Sequence, residues 1–179
     1  MAVHVITDRR LGDPRRQLER LLAVARPAAI QLREKDLDGG ALLVLARDLA
    51  AFGVPLWIND RADVALLVRA GVHLPERGMA IADARTLVAR VGVSRHVAGD
   101  VAGAELIQLG PIFETPGKGP PLGVGVLGFE TDAMLVAVGG IDAPERARAA
   151  SAAGADAVAV IRAAHDPVLF GELVSATSA

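Results

Sequence analysis

The chain has 179 residues, of which 52% are hydrophobic, and its formal net charge is −2. This length supports a full hydrophobic core, and we expect one domain over residues 1–179. The charge balance gives no argument for binding nucleic acid or a membrane surface, and no apolar run reaches the ~18 residues of a bilayer span. The absence of cysteine excludes disulfides and thiolate chemistry. Without a signal-peptide pattern at the N-terminus, we expect a cytoplasmic protein.

Short β-branched runs alternate along the chain with Ala-, Leu- and Arg-rich stretches of helical period. The β-branched runs predict strands over 3–7, 28–33, 55–59, 71–74, 91–94, 106–109, 135–138 and 157–161. The periodic stretches predict helices after Asp13, over 42–49, 60–68 and 81–91, after Asp142, and over 167–176. Asp13 and Asp142 are the predicted N-caps of their helices.

Eight strands with helices between most of them favour a parallel sheet that closes into a (β/α)₈ TIM barrel. An open doubly wound sheet is the alternative, but no G-x-G-x-x-G motif follows the first strand. TIM barrels usually have about 200–250 residues. The shortfall lies in two places, because residues 97–105 are too few for a helix with two loops and 126–134 lack a helical pattern. We predict a compact barrel with shortened helices in units 5 and 6.

Polar side chains concentrate where the predicted strands end, which is where TIM barrels carry their chemistry. The second strand ends in the sequence QLREK at 31–35. Strand alternation places Gln31, Arg33 and Lys35 on one side. An amide and two cations on one face predict a phosphate or pyrophosphate site. The alternative is a solvated strand end whose charges pair with their neighbours.

Three further strand ends carry candidate ligands. Asn59 and Asp60 end the third strand, and Asp60 is either a Mg²⁺ ligand or the cap of the next helix. Gly139 and Gly140 expose backbone N–H groups after the seventh strand. The eighth strand ends at Ile161 and Arg162, so strands 7 and 8 together predict the phosphate cradle common in TIM barrels.

The acid–base candidate is His96, which follows Ser94 at the end of the fifth strand. An imidazole with an unperturbed pKa near ~6.5 can both take and give a proton at neutral pH. His73 lies inside the fourth strand and is expected to be a hydrogen-bonded core residue. The Gly- and Pro-rich segment 110–123 carries Thr115 and Lys118 and is long enough to fold over a ligand, although a plain exposed loop is the alternative.

In their order along the chain, these motifs resemble the thiamine phosphate synthase/TenI superfamily. The matching stretches are VITDR at 5–9, QLREK at 31–35, INDR at 58–61, GVHL at 71–74, Ser94-x-His96, GPIFET at 110–115 with Lys118, VGGI at 138–141 and AGADAVAVI at 153–161. The resemblance implies a (β/α)₈ barrel that handles thiazole phosphate in thiamine biosynthesis.

One activity of this superfamily joins hydroxymethylpyrimidine pyrophosphate to thiazole phosphate with Mg²⁺. For that synthase, the resemblance implies that Gln31 contacts the pyrimidine and that Asp60 binds the metal. The implied pyrophosphate ligands are Arg33, Lys35, Asn59 and Lys118, and the implied thiazole phosphate ligands are Thr115, Gly140 and the segment 160–162.

The other activity tautomerises thiazole carboxylate phosphate to its aromatic form, without a metal or other cofactor, through a histidine that matches His96. This chain has Gly78 where the synthase usually has its second metal carboxylate, and its LPERG segment at 74–78 looks like the TenI branch. We therefore expect a TenI-type thiazole tautomerase. The synthase is the alternative, supported by the intact QLREK and Asn59-Asp60 motifs, with Glu76 as a substitute metal ligand.

A third alternative is a non-catalytic relative that binds a phosphate ligand, which the shortened units 5 and 6 favour. In each case the expected partner is small-molecule thiazole phosphate, with no nucleic acid and no membrane. An apolar helix face leaves a homo-oligomer open.

Overall fold

The computed structural model describes residues 2–177, in which eight parallel strands close into a barrel. The strands are β1 (Ala2–Ile6), β2 (Ala29–Leu32), β3 (Leu56–Asn59), β4 (Gly71–Leu74), β5 (Val91–Arg95), β6 (Leu106–Leu109), β7 (Met134–Val138) and β8 (Ala157–Val160). Each strand pairs with the next one in the chain, and β8 pairs with β1. The predicted TIM barrel is therefore confirmed.

The helices are α1 (Pro14–Leu22), α2 (Gly39–Ala50), α3 (Ala62–Val68), α4 (Ile81–Arg85), α5 (Pro144–Ala152) and α6 (Pro167–Ala176), with 3₁₀ turns at Val124–Leu127 and Arg162–His165. In the described chain no helix separates β5 from β6, and only the first 3₁₀ turn lies between β6 and β7. The shortened units 5 and 6 are thus confirmed. No helix within residues 2–177 is long and apolar enough to span a bilayer.

Two of the helix predictions are wrong in detail. The fourth helix ends at Arg85 rather than near 91, because the chain turns after it and Val91 already begins β5. Asp142 does not cap α5, whose N-cap is Ala143 with no side-chain bond. The Asp142 carboxylate instead accepts a hydrogen bond from Arg146 Nη1 at 2.7 Å, so the arginine competes successfully with the helix N-terminus for this oxygen.

Alternate strand residues face two different cores. The outward residues pack against the helices. The inward ones fill the lower lumen, which is the part toward the amino ends of the strands, with apolar side chains (Ile6, Ala29, Trp57, Leu106, Val136, Ala157 and Ala159). The Trp57 ring leaves no room for a side chain at Gly71, where an added Cβ would lie 2.5 Å from its Cε3 atom. This packing closes the lower lumen, so any ligand has to enter from the carboxyl ends of the strands.

Candidate active site

The upper lumen is polar and is organised by three amide side chains. Two residues beyond Ala29, Trp57 and Leu106, the inward positions are Gln31, Asn59 and Gln108. Gln108 Nε2 donates to Gln31 Oε1 at 2.7 Å, and Gln31 Nε2 donates to Asn59 Oδ1 at 3.2 Å. Sequence reasoning missed Gln108, although its alternation with Leu106 was a usable signal.

Two buried histidines also face the lumen: His73 is paired with Asn59 in the strand register, and His4 is paired with Ala29. His73 Nε2 is 2.8 Å from Ser94 Oγ, which confirms the expectation that His73 is a hydrogen-bonded core residue. Burial lowers the pKa of His73 to about 3 and that of His4 to about 4. Both imidazoles are therefore neutral at pH 7, and the lumen carries no histidine charge. Ser94 is oriented toward His73 rather than standing alone at the strand end.

The cations that follow β2 lie free at the barrel mouth. The backbone N–H of Arg33 donates to Thr7 Oγ1 at 3.0 Å, and the Arg33 side chain lies near enough to Asp8 and His73 to contribute, after larger effects, to their lowered pKa values. Lys35 is exposed. Within residues 2–177, neither Arg33 nor Lys35 forms an ion pair at 4.0 Å or less, so these two charges do not pair with neighbouring side chains.

Asp60 follows β3 directly and is exposed. Its φ of +61° is left-handed, and α3 begins at Ala62 with Arg61 as an N-cap that makes no side-chain bond. The capping alternative for Asp60 is therefore wrong, and its carboxylate is available for a ligand. No group of three or more His, Cys, Asp and Glu side chains in the described chain could hold a metal ion by itself. Asp60 fits Mg²⁺ only together with substrate phosphate oxygens, which is a common arrangement for this ion.

His96 lies at the rim, and its partner is Glu76. His96 Nδ1 is 2.7 Å from Glu76 Oε2, its backbone N–H donates to Glu76 Oε1 at 3.3 Å, and its side chain is 57% exposed. The hydrogen bond from His96 lowers the pKa of Glu76, and Arg95 Nε lies 3.6 Å from the same carboxylate. Glu76 is thus engaged by the end of β5, which competes with the role of substitute metal ligand.

The segment 110–123 packs directly over the glycines that follow β7. The backbone N–H of Ile112 donates to Val138 O at 2.9 Å, and that of Phe113 donates to Gly139 O at 3.1 Å. An added Cβ at Gly140 would lie 2.5 Å from Glu114 O. The close approach of this segment therefore requires the glycines, independently of any phosphate.

A cavity of about 680 Å³ lies beside these glycines. It is lined by the segment 114–121, which contains Thr115 and Lys118, and by Asp142 and Arg146. Next to β7, β8 ends at Val160, so Ile161 and Arg162 follow on the neighbouring strand, and the Arg162 side chain is exposed. The mouth therefore has two groups of predicted residues, one around β2 and β3 and the other around β7 and β8.

Comparison with known proteins gives a consistent family. The family described as "Thiamine monophosphate synthase" matches residues 3–164. A putative thiamine-phosphate synthase of Geobacter sulfurreducens is 41% identical over 93% of this chain and 89% of its own length. A thiamine-phosphate synthase of Roseiflexus castenholzii is 40% identical over 90% of this chain and 79% of its own length.

The solved structure of a thiamine phosphate pyrophosphorylase from Pyrococcus furiosus superposes with a TM-score of 0.84 and 25% identity, covering 99% of this chain and 95% of that one. These names support the synthase alternative and give no specific support to the tautomerase that the sequence led us to expect. The resemblance seen in the motifs is confirmed: the chain belongs to the thiamine phosphate synthase/TenI superfamily of thiamine-biosynthesis enzymes.

Proposed function

We propose that the protein is a thiamine-phosphate synthase that joins hydroxymethylpyrimidine pyrophosphate to thiazole phosphate. The observation that carries this proposal is the group of unpaired cations and a free carboxylate at the adjacent ends of β2 and β3: Arg33, Lys35 and Asp60. A leaving pyrophosphate needs several positive charges. A tautomerisation leaves the phosphate ester intact, so no leaving group gains negative charge during that reaction.

In this mechanism Gln31 hydrogen-bonds the pyrimidine, while Arg33, Lys35 and Asn59 bind the pyrophosphate. Lys118 reaches the pyrophosphate from the segment 110–123 on the other side of the mouth. Negative charge on the pyrophosphate increases as its bond to the pyrimidine methylene breaks, so groups fixed at the mouth bind the transition state more strongly than the substrate. Magnesium held by Asp60 and the pyrophosphate oxygens would supply further positive charge to the leaving group.

The neutral lumen favours the same chemistry. Loss of pyrophosphate leaves positive charge on the pyrimidine, and burial keeps His4 and His73 uncharged at pH 7, so neither opposes that charge. On the opposite side of the mouth, Thr115 faces the thiazole, while Gly139, Gly140 and the segment 160–162 bind its phosphate. The thiazole nitrogen then attacks the pyrimidine cation.

A second candidate is the thiazole tautomerase, which the Glu76–His96 pair favours. A carboxylate at 2.7 Å orients the imidazole, as an acid–base catalyst requires. The exposure of the His96 side chain at the rim weighs against this role, because the reacting ring would have to lie outside the lumen.

A paired assay on the purified protein tests both candidates. One reaction contains pyrimidine pyrophosphate, thiazole phosphate and Mg²⁺, and is analysed for thiamine phosphate. The other contains thiazole carboxylate phosphate without metal, and its aromatisation is followed. We expect thiamine phosphate in the first reaction, with a lower yield for Asp60→Asn and an unchanged yield for His96→Ala.

Aromatisation without thiamine phosphate, abolished by His96→Ala, would overturn the synthase in favour of the tautomerase. Binding of thiazole phosphate by calorimetry with no turnover in either reaction would overturn both and leave the non-catalytic relative.

A further inference from the structure

We propose that Gln108 is a positioning residue, which fixes the direction of the Gln108–Gln31–Asn59 amide chain so that hydrogen-bond donors face the pyrimidine pyrophosphate. This inference rests on the proposed synthase function and deepens it. Gln108 belongs to none of the motifs that carry the family resemblance, and it acts through Gln31 and Asn59 rather than by touching the reacting atoms.

The position of Gln108 makes this contact possible. In a closed barrel of eight strands, β6 lies opposite β2, so a side chain from one must cross the lumen to reach the other. Gln108 and Gln31 are only 5% and 3% exposed, and their amides meet at 2.7 Å. A buried hydrogen bond of this length holds both side chains, since its loss would leave unpaired polar groups in the lumen.

The direction of the chain follows from amide chemistry. Each amide has one acceptor oxygen and one donor nitrogen. Because Gln31 Oε1 accepts from Gln108, Gln31 Nε2 is turned toward Asn59 Oδ1. The Nδ2 group of Asn59 then remains to donate to a pyrophosphate oxygen, and the second N–H of Gln31 remains to donate to a ring nitrogen of the pyrimidine.

A chain of the opposite direction would present Asn59 Oδ1 to the pyrophosphate. An oxygen acceptor facing an anion is repulsive, whereas an N–H donor to a charged acceptor makes one of the stronger hydrogen bonds. Below Gln108 the lumen is filled by Trp57, Leu106 and Val136, whose side chains offer no acceptor. Beside it, Ser94 is hydrogen-bonded to His73 instead. The Gln108 amide therefore finds its acceptor in Gln31, across the lumen.

Two substitutions of Gln108 have different effects on the amide chain: one removes its first donor, and the other reverses its direction. Gln108→Met keeps the approximate size and removes the donor, whereas Gln108→Glu supplies acceptors that turn Gln31 Nε2 toward residue 108. In the synthase assay we expect KM for pyrimidine pyrophosphate to rise ~10-fold in Gln108→Met and ~100-fold in Gln108→Glu. KM for thiazole phosphate, which binds on the other side of the mouth, should stay within about twofold.

Gln17→Leu is the matched control, because Gln17 is also buried and donates through Nε2, but to Ala164 O outside the lumen. It should leave KM for pyrimidine pyrophosphate unchanged. Equal rises of both KM values in Gln108→Met, or a wild-type KM for pyrimidine pyrophosphate, would overturn the positioning role. Gln108→Met also keeps the proposal testable if the buried carboxylate of Gln108→Glu prevents folding.

A binding measurement keeps this inference separate from the proposed function. Inorganic pyrophosphate is titrated calorimetrically into the wild type, Gln108→Met, Asn59→Ala and the double variant, none of which needs turnover. If Gln108 acts through Asn59, the loss of affinity in Gln108→Met disappears in the Asn59→Ala background. An equal loss in both backgrounds would overturn the inference. Absence of thiamine phosphate from a protein that shows the coupling would overturn the proposed synthase alone.

Discussion

The two sides of the barrel mouth present different kinds of polar group: side chains at the ends of β2 and β3 (the side-chain side), and backbone groups after β7 (the glycine side). At the ends of β2 and β3, the polar groups are side chains, and Gln31 and Asn59 are joined to each other by a hydrogen bond. After β7, the polar groups belong to the backbone of Gly139 and Gly140, which are half-buried and closely covered by the segment 110–123. The first side is organised by strand alternation and the second by contact between two loops.

This difference predicts how each side responds to substitution. A side chain at the end of β2 can be replaced without moving the backbone, so its loss should change ligand binding more than stability. A glycine held between strand end and loop has no side chain to lose, and any addition displaces its neighbours. The glycine side should therefore couple ligand binding to folding, whereas the side-chain side should not.

The largest expected effect is that of Gly140→Ala. Gly140 has φ +67°, and the new Cβ would lie 2.5 Å from Glu114 O, so backbone strain and steric overlap add together. We expect a loss of ~3 kcal/mol in the free energy of unfolding, measured by urea titration. Gly125→Ala is the control, because nothing lies within 4 Å of its Cβ position. Equal urea midpoints for the two variants would contradict the prediction.

The same contrast explains what the sequence could predict. Period-2 alternation was enough to place Gln31 inside the lumen and Leu32 in the outer core, because it depends on neighbouring residues alone. The packing at Gly139 was not predictable, since an added Cβ there would meet Pro111, 28 residues earlier in the chain. The sequence indicated the eight strands and the bare units 5 and 6 for the same local reason.

Pairings between side chains on distant strands were the main information that the sequence lacked. The contact between Gln108 and Gln31 joins residues that are 77 positions apart, and the bond between Glu76 and His96 depends on the register of β4 and β5. Asp142 was a plausible helix cap by residue type, but Arg146 binds it instead. Local patterns name candidate residues, and only the closed barrel determines their partners.

On the side-chain side, Arg33→Met should weaken ligand binding while sparing stability. A charge-assisted hydrogen bond contributes about 1.5–3 kcal/mol, so we expect ~10- to 100-fold weaker binding of inorganic pyrophosphate by calorimetry, and less difference at high salt. Arg26→Met is the matched control, because Arg26 precedes β2 and its side chain donates to Gly53 O at the opposite end of the barrel. Similar affinities for the two variants would place the anion site elsewhere.

The neutral histidines that face the lumen should make the free energy of unfolding depend on pH. Burial lowers the pKa of His4 from 6.5 to about 4, so between these values the unfolded chain binds a proton that the folded chain does not. Stability is therefore highest above pH 6.5 and falls on acidification, by ~1.4 kcal/mol per pH unit for each such histidine. In His4→Asn, the free energy of unfolding should fall less steeply with acidification, by the contribution of one proton. Urea titrations at pH 6.5, 5.8 and 5.0 measure this slope. An unchanged slope would show that His4 is already protonated when folded.

The smallest expected effect concerns the rim, where Glu76 joins the ends of β4 and β5. Glu76→Gln should lower stability at pH 7 by ~0.2–1 kcal/mol, because an exposed ion pair is weakened by solvent. The pKa of Glu76 lies below its ordinary 4.5, chiefly through the His96 hydrogen bond, so its contribution is present above pH 4.5 and is lost as the pH falls through the lowered value. The wild type and Glu76→Gln should therefore converge in acid.

The synthase activity of Glu76→Gln decides whether Glu76 also binds the metal. If Glu76 only joins the ends of β4 and β5, Glu76→Gln keeps the wild-type kcat and the wild-type dependence on Mg²⁺. The control Glu145→Gln, which removes an exposed partner of Arg148 on α5, should do the same. If Glu76 leaves His96 to bind the metal beside Asp60, Glu76→Gln instead requires a higher Mg²⁺ concentration for half-maximal activity. That outcome would extend the side-chain side of the mouth from β3 to β4 and would supply the carboxylate that Gly78 lacks.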